Sequence, residues 1–329
     1  MKLHVLEDRA ELPHPPEEHE LWQESIALVW YDGRAGIGGY LRIGHEPNCD
    51  GGVAALGCGV VTREGIRYRR NGTSPLTDAD RLPNGFGARG GGYRGFYDAG
   101  LKIRTDDQDC RLEFDLEDFY PRTDFFGAAA GEVRDLAPNH FETSGRIRGT
   151  AMLGDRRYEV DGLFHRDHSW GIRHWDSFLN HRWMVGTFGP ELSFGLVTWH
   201  ARNGVLRRFG YVVRNGELVA ADDVDIVLHL EPDGTTYRGG TASWVLPGDR
   251  LTLECSVLDA IVIGRRDVSW VDAVCEIEHA GRTGFCCLEA STNPRAGTAP
   301  ILTAIRAVLD DGLSRANLGI SMARRRSTG

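Results

Sequence analysis

Residues 164–176 read Phe-His-Arg-Asp-His-Ser-Trp-Gly-Ile-Arg-His-Trp-Asp, which sets three His, two Arg, two Asp and two Trp in one short segment. An unpaired polar group taken from water costs free energy. Such a stretch is therefore either a surface loop or the lining of a cavity whose polar groups are paired and used. The strand-like alternation of residues 158–163, which leads into it, favours the cavity. Continued to Trp170, that strand puts Phe164, Arg166, His168 and Trp170 on one face and His165, Asp167 and Ser169 on the other. Gly171 then turns the chain toward Arg173, Trp175 and Asp176.

An imidazole beside an indole suits a cavity built around an apolar reacting centre. His168 can give or take a proton near neutral pH, and Trp170 can hold developing positive charge against its ring. Asp167 or Asp176 could fix the tautomer of the imidazole, or serve as the acid if burial raises its pKa. Arg166 and Arg173 fit the part of structural clamps. The competing reading is an ion-pair cluster that ties two β units together, with Trp170 and Trp175 as core. A metal centre would draw on His165, His168, His174, His181 and His200. Yet His165 and His168 point to opposite faces and no His-x-x-x-His occurs, so no metal is expected.

Two further stretches carry candidates. Residues 195–202 bear Trp199 and His200, as a lining or core strand. Residues 284–290 place Glu289 on an otherwise apolar strand, where a carboxylate is either paired with Arg or a general acid. Phe164, His165, Trp175, Trp199 and His200 are the expected walls of the cavity. No Gly-x-Ser-x-Gly elbow is present, and Ser169 faces away from its neighbour His168, so no nucleophile–base pair forms there.

The frame around these residues is punctuated at β spacing. The 329 residues include 42 glycines, many lying between short runs rich in Val, Ile, Tyr, Phe and Trp. Strands are predicted at 25–30, 39–43, 53–61, 101–104, 111–116, 145–153 and 157–163. More follow at 182–188, 192–200, 205–213, 226–230, 250–257 and 273–278. Asp32-Gly33, Asn203-Gly204, Asn215-Gly216 and Asp233-Gly234 each suit a tight hairpin. Helix signals are confined to a short turn at 17–23 and to 299–309, where Ile301, Ile305, Val308 and Leu309 form one stripe. The expected fold class is all-β, two packed units closed by that C-terminal helix. The break in strand pattern at 128–142 divides them into 1–142 and 143–329.

Composition excludes several classes. A net charge of −9, without any basic run interleaved with aromatics, argues against nucleic acid as a partner. Arg324-Arg325-Arg326 reads as a solvated tail. No apolar run reaches membrane-spanning length, and the acidic, Pro-containing first twenty residues lack a signal-peptide core. Seven cysteines without a Cys-x-x-Cys pair read as reduced thiols of a cytoplasmic protein. Asn71-Gly72-Thr73 is read as a turn rather than a glycosylation site. The glycine clusters at 36–39 and 90–92 lack the spacing and βαβ setting of a nucleotide loop, and are read as bends or bulges.

At 162–173 (Gly-Leu-Phe-His-Arg-Asp-His-Ser-Trp-Gly-Ile-Arg) the chain resembles the lipocalin-like superfamily of carotenoid 1,2-hydratase (hydroxyneurosporene synthase). That superfamily carries an Asp-His-x-Trp-Gly signature, and one bacterial branch reads Arg-Asp-His-Ser-Trp-Gly-x-Arg. Residues 36–47, 140–142 and 284–289 also fit the branch. The resemblance implies two lipocalin-like units, a sandwich or open barrel followed by a barrel, with a hydrophobic pocket at their interface. It also implies cofactor-free addition or removal of water at isoprenoid double bonds, with pericyclic ring closure known among fungal relatives of similar architecture. His168 and Trp170 match the family's His-x-Trp pair. The downstream carboxylate of the carotenoid hydratases has no counterpart in 195–202, which leaves Asp167, Asp176 or Glu289 as donor. The expectation is a cofactor-independent hydratase, dehydratase, isomerase or cyclase for a terpenoid-like hydrophobic small molecule. Its rivals are a pericyclic cyclase of a polyketide and a carrier of a lipophilic ligand.

Overall fold

The computed structural model describes residues 6–124, 137–232, 236–265, 268–292 and 312–314. Two antiparallel sheets, each curled into a half-barrel, account for almost all of it. The first contains β1 (Trp22–Asp32), β2 (Ile37–Glu46), β3 (Val53–Thr62), β4 (Arg67–Pro75), β5 (Arg81–Leu82), β6 (Gly85–Ala88) and β7 (Tyr93–Tyr97). It continues with β8 (Leu101–Thr105), β9 (Cys110–Asp118), β10 (Thr123–Asp124), β11 (Asn139–Leu153) and β12 (Arg156–Ile172). The second contains β13 (Phe178–Thr187), β14 (Leu192–Ala201), β15 (Leu206–Arg214), β16 (Glu217–Ala220) and β17 (Asp223–Leu230). Its remaining strands are β18 (Tyr237–Leu246), β19 (Asp249–Arg265), β20 (Val268–His279) and β21 (Arg282–Thr292). Last among the described residues, β22 (Gly312–Ser314) returns to pair with β4 of the first sheet.

The order of the first sheet is β22-β4-β3-β2-β1-β12-β11-β9-β8-β7-β6-β5, with β10 on β11. The second runs β16-β15-β14-β13-β21-β20-β19-β18-β17. The all-β expectation holds, and a type I′-like turn at Asn215 (φ 50°) and Gly216 (φ 83°) joins β15 to β16 as Asn-Gly predicts. Other expectations differ. Residues 17–21 form no helix but lead by a turn into β1. Residues 299–309 and Asp233-Gly234 lie outside the described residues. The long hairpin of β11 and β12 completes the first sheet through the pairing of β12 with β1, so sheet membership changes between Ile172 and Phe178 rather than at 142. β4 escaped the sequence reading because Arg67, Arg69 and Arg70 disguise it. Arg67 is nevertheless buried, donating from Nε to Asp259 Oδ2 at 2.7 Å.

Strands β1 and β12 form a wall that is used on both sides. Along β1, Ile26, Leu28 and Trp30 join the core enclosed by the first sheet, with Phe86, Ile103 and Phe114. The alternate residues Ala27, Val29 and Tyr31 join the core of the second unit, with Ile261, Val274 and Trp270. Every residue from Trp22 to Asp32 is buried as a result. Each large apolar side chain so buried contributes roughly 1.5–3 kcal/mol. Close approach of the sheets needs glycine on β3: a Cβ at Gly59 would lie 2.5 Å from Ile261.

Candidate active site

The two faces of β12 end in different environments, and the division follows the alternation of its sequence. On the inner face, Phe164 is fully buried in the first core. Arg166 is clamped by Asp118, with Nε to Oδ1 at 3.1 Å and Nη2 to Oδ2 at 2.7 Å, and by Glu11, with Nη1 to Oε2 at 3.0 Å. His168 is sealed with no exposed surface, its Nε2 2.8 Å from Glu24 Oε1 and its ring edge-on to Phe86 and Phe141. Trp170 packs edge-on to His168 and stacks on His14 at 4.0 Å between centroids. Glu24 is shared between His168 and His14, whose Nδ1 lies 2.6 Å from Oε1.

The outer face opens on a cavity of about 120 Å³ between the two sheets. Asp167 and Ser169 line it from β12, Ser25 and Ala27 from β1, and Tyr40 and Arg42 from β2. Opposite them stand Trp175, Phe178, Trp183, Val197 and Trp270, a largely aromatic wall. Trp175 and Trp270 are parallel within 1°, with centroids 6.2 Å apart. Arg173 lies over Trp175, its Cζ 4.4 Å from the ring centroid. Glu289 and His181 face each other across β21 and β13, and the imidazole bridges the Glu289 carboxylate and Ser291 Oγ, the latter at 2.6 Å.

Glu142, from β11, is the most heavily solvated group of the cavity, though by protein rather than water. Tyr211 Oη donates to its Oε2 at 2.6 Å and Trp183 Nε1 to its Oε1 at 3.2 Å. His140 Nε2 lies 3.0 Å from Oε1, and His165 Nε2 lies 3.3 Å from Oε2. Burial opposes its ionisation, but the hydrogen bonds and charges of His140 and His165 prevail and hold its pKa at about 2. Glu142 is thus a fixed anion that orients two histidines and two aromatic walls.

The remaining carboxyls diverge. Burial raises the pKa of Asp167, the neighbouring charge of Glu142 adds to this, and the His140 charge only partly offsets it. Burial also acts on Glu289, but the charge and hydrogen bond of His181 outweigh it and leave that pKa lowered. Asp272, directly opposite Glu289 in the β20–β21 register, is pushed well up by burial and by the Glu289 charge. One cavity therefore presents a carboxyl disposed to hold a proton and another disposed to lack one, the arrangement from which acid and base roles arise.

Of the sequence candidates, Asp167, Arg173, Trp175 and Glu289 line the cavity. His168, Trp170, Phe164 and Arg166 belong to the opposite face of β12, and the expected His168–Trp170 frontage on the interface pocket is corrected accordingly. His165 sits behind Glu142, bonded through Nδ1 to Ser144 Oγ at 2.9 Å. Trp199 is core, packed with Phe178, Val197 and Tyr211. His200 pairs with Asn180 at 3.0 Å, and Asp176 forms an exposed ion pair with Arg202. The sequence reading gave no site role to Arg42, His140, Glu142, Trp183 or Trp270. The pairs His140/Glu142 and Glu289/Ser291, polar at every second residue of a strand, were the available signal.

Two groups could hold a metal ion among the described residues: Cys255, Cys275 and Cys286, and His14, Glu24 and His168. Neither reunites the histidines considered from sequence, which are dispersed over both faces of β12, the connection that follows it, β13 and β14. All seven cysteines are buried and unbridged.

Comparison with solved structures shows the fold. The chain superposes on an AttH candidate from Nitrosomonas europaea with a TM-score of 0.64 at 10% identity, covering 88% of this chain and 97% of that one. Kievitone hydratase from Nectria haematococca gives 0.57 at 9% identity, covering 90% and 94%. CghA gives 0.54 at 10% identity, covering 88% and 96%. No curated protein matches the sequence. A protein-family profile described as a domain of unknown function, DUF7064, matches residues 7–294, and the chain therefore belongs to the DUF7064 family.

Proposed function

We propose that the protein is a cofactor-independent hydratase, dehydratase, isomerase or cyclase that acts on a hydrophobic, terpenoid-like small molecule by acid/base chemistry in the cavity between the sheets. The observation that carries this reading is the pair Asp167 and Glu289, two carboxyls in one aromatic-walled cavity with pKa values displaced in opposite directions. Protonated Asp167 delivers its proton to an alkene carbon or a departing hydroxyl, and positive charge develops on the substrate. The faces of Trp175, Trp183 and Trp270 stabilise that charge. Glu289, with His181 held between it and Ser291, takes the proton from an attacking water or from the carbon next to the cation. Support comes from the fold shared with kievitone hydratase and from the motif resemblance to carotenoid 1,2-hydratase. His168 and Trp170 act through position in this scheme, fixing β12 against β1 and the N-terminal segment.

One positioned acid is worth about 10²- to 10⁴-fold in rate. The test is turnover of lipophilic alkenes and tertiary alcohols in ¹⁸O-labelled water, read by mass spectrometry. Asp167→Asn should lower it by about 10²- to 10⁴-fold while ligand binding persists. Turnover equal to that of the native protein would remove Asp167 from the chemistry. Tight binding of such compounds without any product from the native protein would favour the carrier.

A further inference from the structure

Two guanidinium groups in the cavity form no direct ion pair among the described residues. Arg42 is buried, and its one side-chain hydrogen bond runs from Nη2 to Ser25 Oγ at 3.0 Å. Ser25 Oγ lies in turn 3.3 Å from Ser169 Oγ, so this chain ends on hydroxyls. Arg173 rests on the face of Trp175, and its Nε is buried without any hydrogen-bond partner. Among the described residues no carboxylate lies within ion-pairing distance of either. Three other buried arginines differ: Arg166 is paired with Glu11 and Asp118, Arg67 with Asp259, and Arg122 with Glu11. Leaving a buried charge without a direct partner is costly, and here the buried Arg42 and the half-buried Arg173 lie in one cavity.

The carboxylates of the cavity are committed elsewhere. Glu142 serves His140, His165, Tyr211 and Trp183, and Glu289 serves His181. The pKa of Asp167 is raised by burial, with the charges of His140, Arg42 and Arg173 acting against the shift. Burial and the nearby Arg42 charge lower the pKa of Arg173 to about 10 against the more distant charges of Asp167 and Glu289, so it stays cationic at neutral pH. Arg42, Tyr40 and Trp270 also line an adjoining cavity of about 330 Å³, whose walls mix Val53, Ala55 and Ile263 with the polar Glu46, Asp50, Asn71 and Thr73. Arg42 therefore sits at the junction of two chambers, one aromatic-walled and one of mixed polar and apolar lining, with Arg173 beside it in the first.

We propose that the substrate is an amphipathic anion, a carboxylate or acidic enol(ate) or phenol(ate) on a hydrophobic skeleton, whose charged group docks between Arg42 and Arg173 while its apolar part lies against the aromatic wall of Trp175, Phe178, Trp183 and Trp270. This rests on the cavity being the substrate site, and it narrows the substrate class. The guanidinium forks hold the anion in two-point fashion. They thereby place the skeleton against Asp167 without neutralising that acid, because the anion's charge is absorbed by arginine.

The experiment is calorimetric titration of the full chain with 2-naphthoate and with its methyl ester, two probes of one shape and different charge. The native protein should bind the acid at least about tenfold more tightly than the ester, the scale of one charge-assisted hydrogen bond. Arg173→Met, which keeps the stem packed on Trp175, should bring that ratio near unity. Arg173→Lys should retain part of it, and thermal melting shows that each variant is folded. Equal binding of acid and ester by the native protein, or an acid preference unchanged in both Arg173→Met and Arg42→Met, overturns the proposal. Asp167→Asn separates it from the catalytic reading, since that variant should lose turnover and keep the preference for the acid. Loss of turnover without any preference for the acid defeats the substrate class alone, whereas a preference with turnover intact in Asp167→Asn defeats the mechanism alone.

Discussion

Replacement of Glu142 by Gln tests how the cavity is held in shape. The carboxylate receives Tyr211, Trp183, His140 and His165, and its pKa falls from an ordinary 4.5 to about 2. A drop of that size corresponds to about 3 kcal/mol of folding stability at neutral pH. Because the folded value is the depressed one, the contribution is complete above pH 4.5 and lost as pH falls through about 2. Near pH 3 about 1.4 kcal/mol should remain. Glutamine keeps the volume and one acceptor but brings an amide donor among four donors, so Glu142→Gln should cost about 3 kcal/mol at pH 7. Urea unfolding of both proteins at pH 7, 5 and 3 measures this. The gap should shrink on acidification at unchanged m-value. A variant as stable as the parent at pH 7, or a penalty that stays constant with pH, would refute the account of Glu142 as a fixed anion.

Three other outcomes follow from the same geometry. The pH–rate profile should be a bell. Its alkaline limb reflects loss of the Asp167 proton above the usual carboxylate range, and its acidic limb protonation of Glu289 below that range. A rate unchanged from about pH 3 to about pH 9 would exclude the pair. His168→Gln should destabilise the protein by roughly 1.5–3 kcal/mol through the lost Glu24 contact, and leave ligand affinity in the cavity unchanged by titration. A strong affinity loss in a folded variant would restore His168 to the site. Gly59→Ala should cost about 1–3 kcal/mol, because the new methyl meets Ile261 at 2.5 Å, and Ile261→Ala in the same chain should recover part of it. Additive penalties in that double variant would contradict the close approach of the sheets.

The fold class was legible because turn residues and period-2 patterning are local properties, and β12 was read with the correct alternation. Which face of β12 meets the cavity was not legible. A strand buried on both sides offers chemistry-bearing residues in both directions, and His168 and Trp170 are more conspicuous than Asp167. Only the pairing of β12 with β1, whose alternate residues serve two cores, settles the matter. Glu142 was overlooked because its four partners come from β11, β12, β13 and β15, and such convergence leaves no trace in spacing. The sheet boundary was misplaced for a related reason: the interruption before residue 139 looks like a domain linker, yet it precedes a hairpin that returns to β1.

The shared wall of β1 and β12 also restricts how this architecture can diversify. A one-residue slip in the register of β12 would exchange scaffold and chemistry along its whole length, carrying His168 into the hollow and Asp167 into the grease. New specificities in such a framework must therefore arise by replacement in place, position by position. Neither lobe can be lent to another protein unless the partner that covers its bare apolar side travels with it.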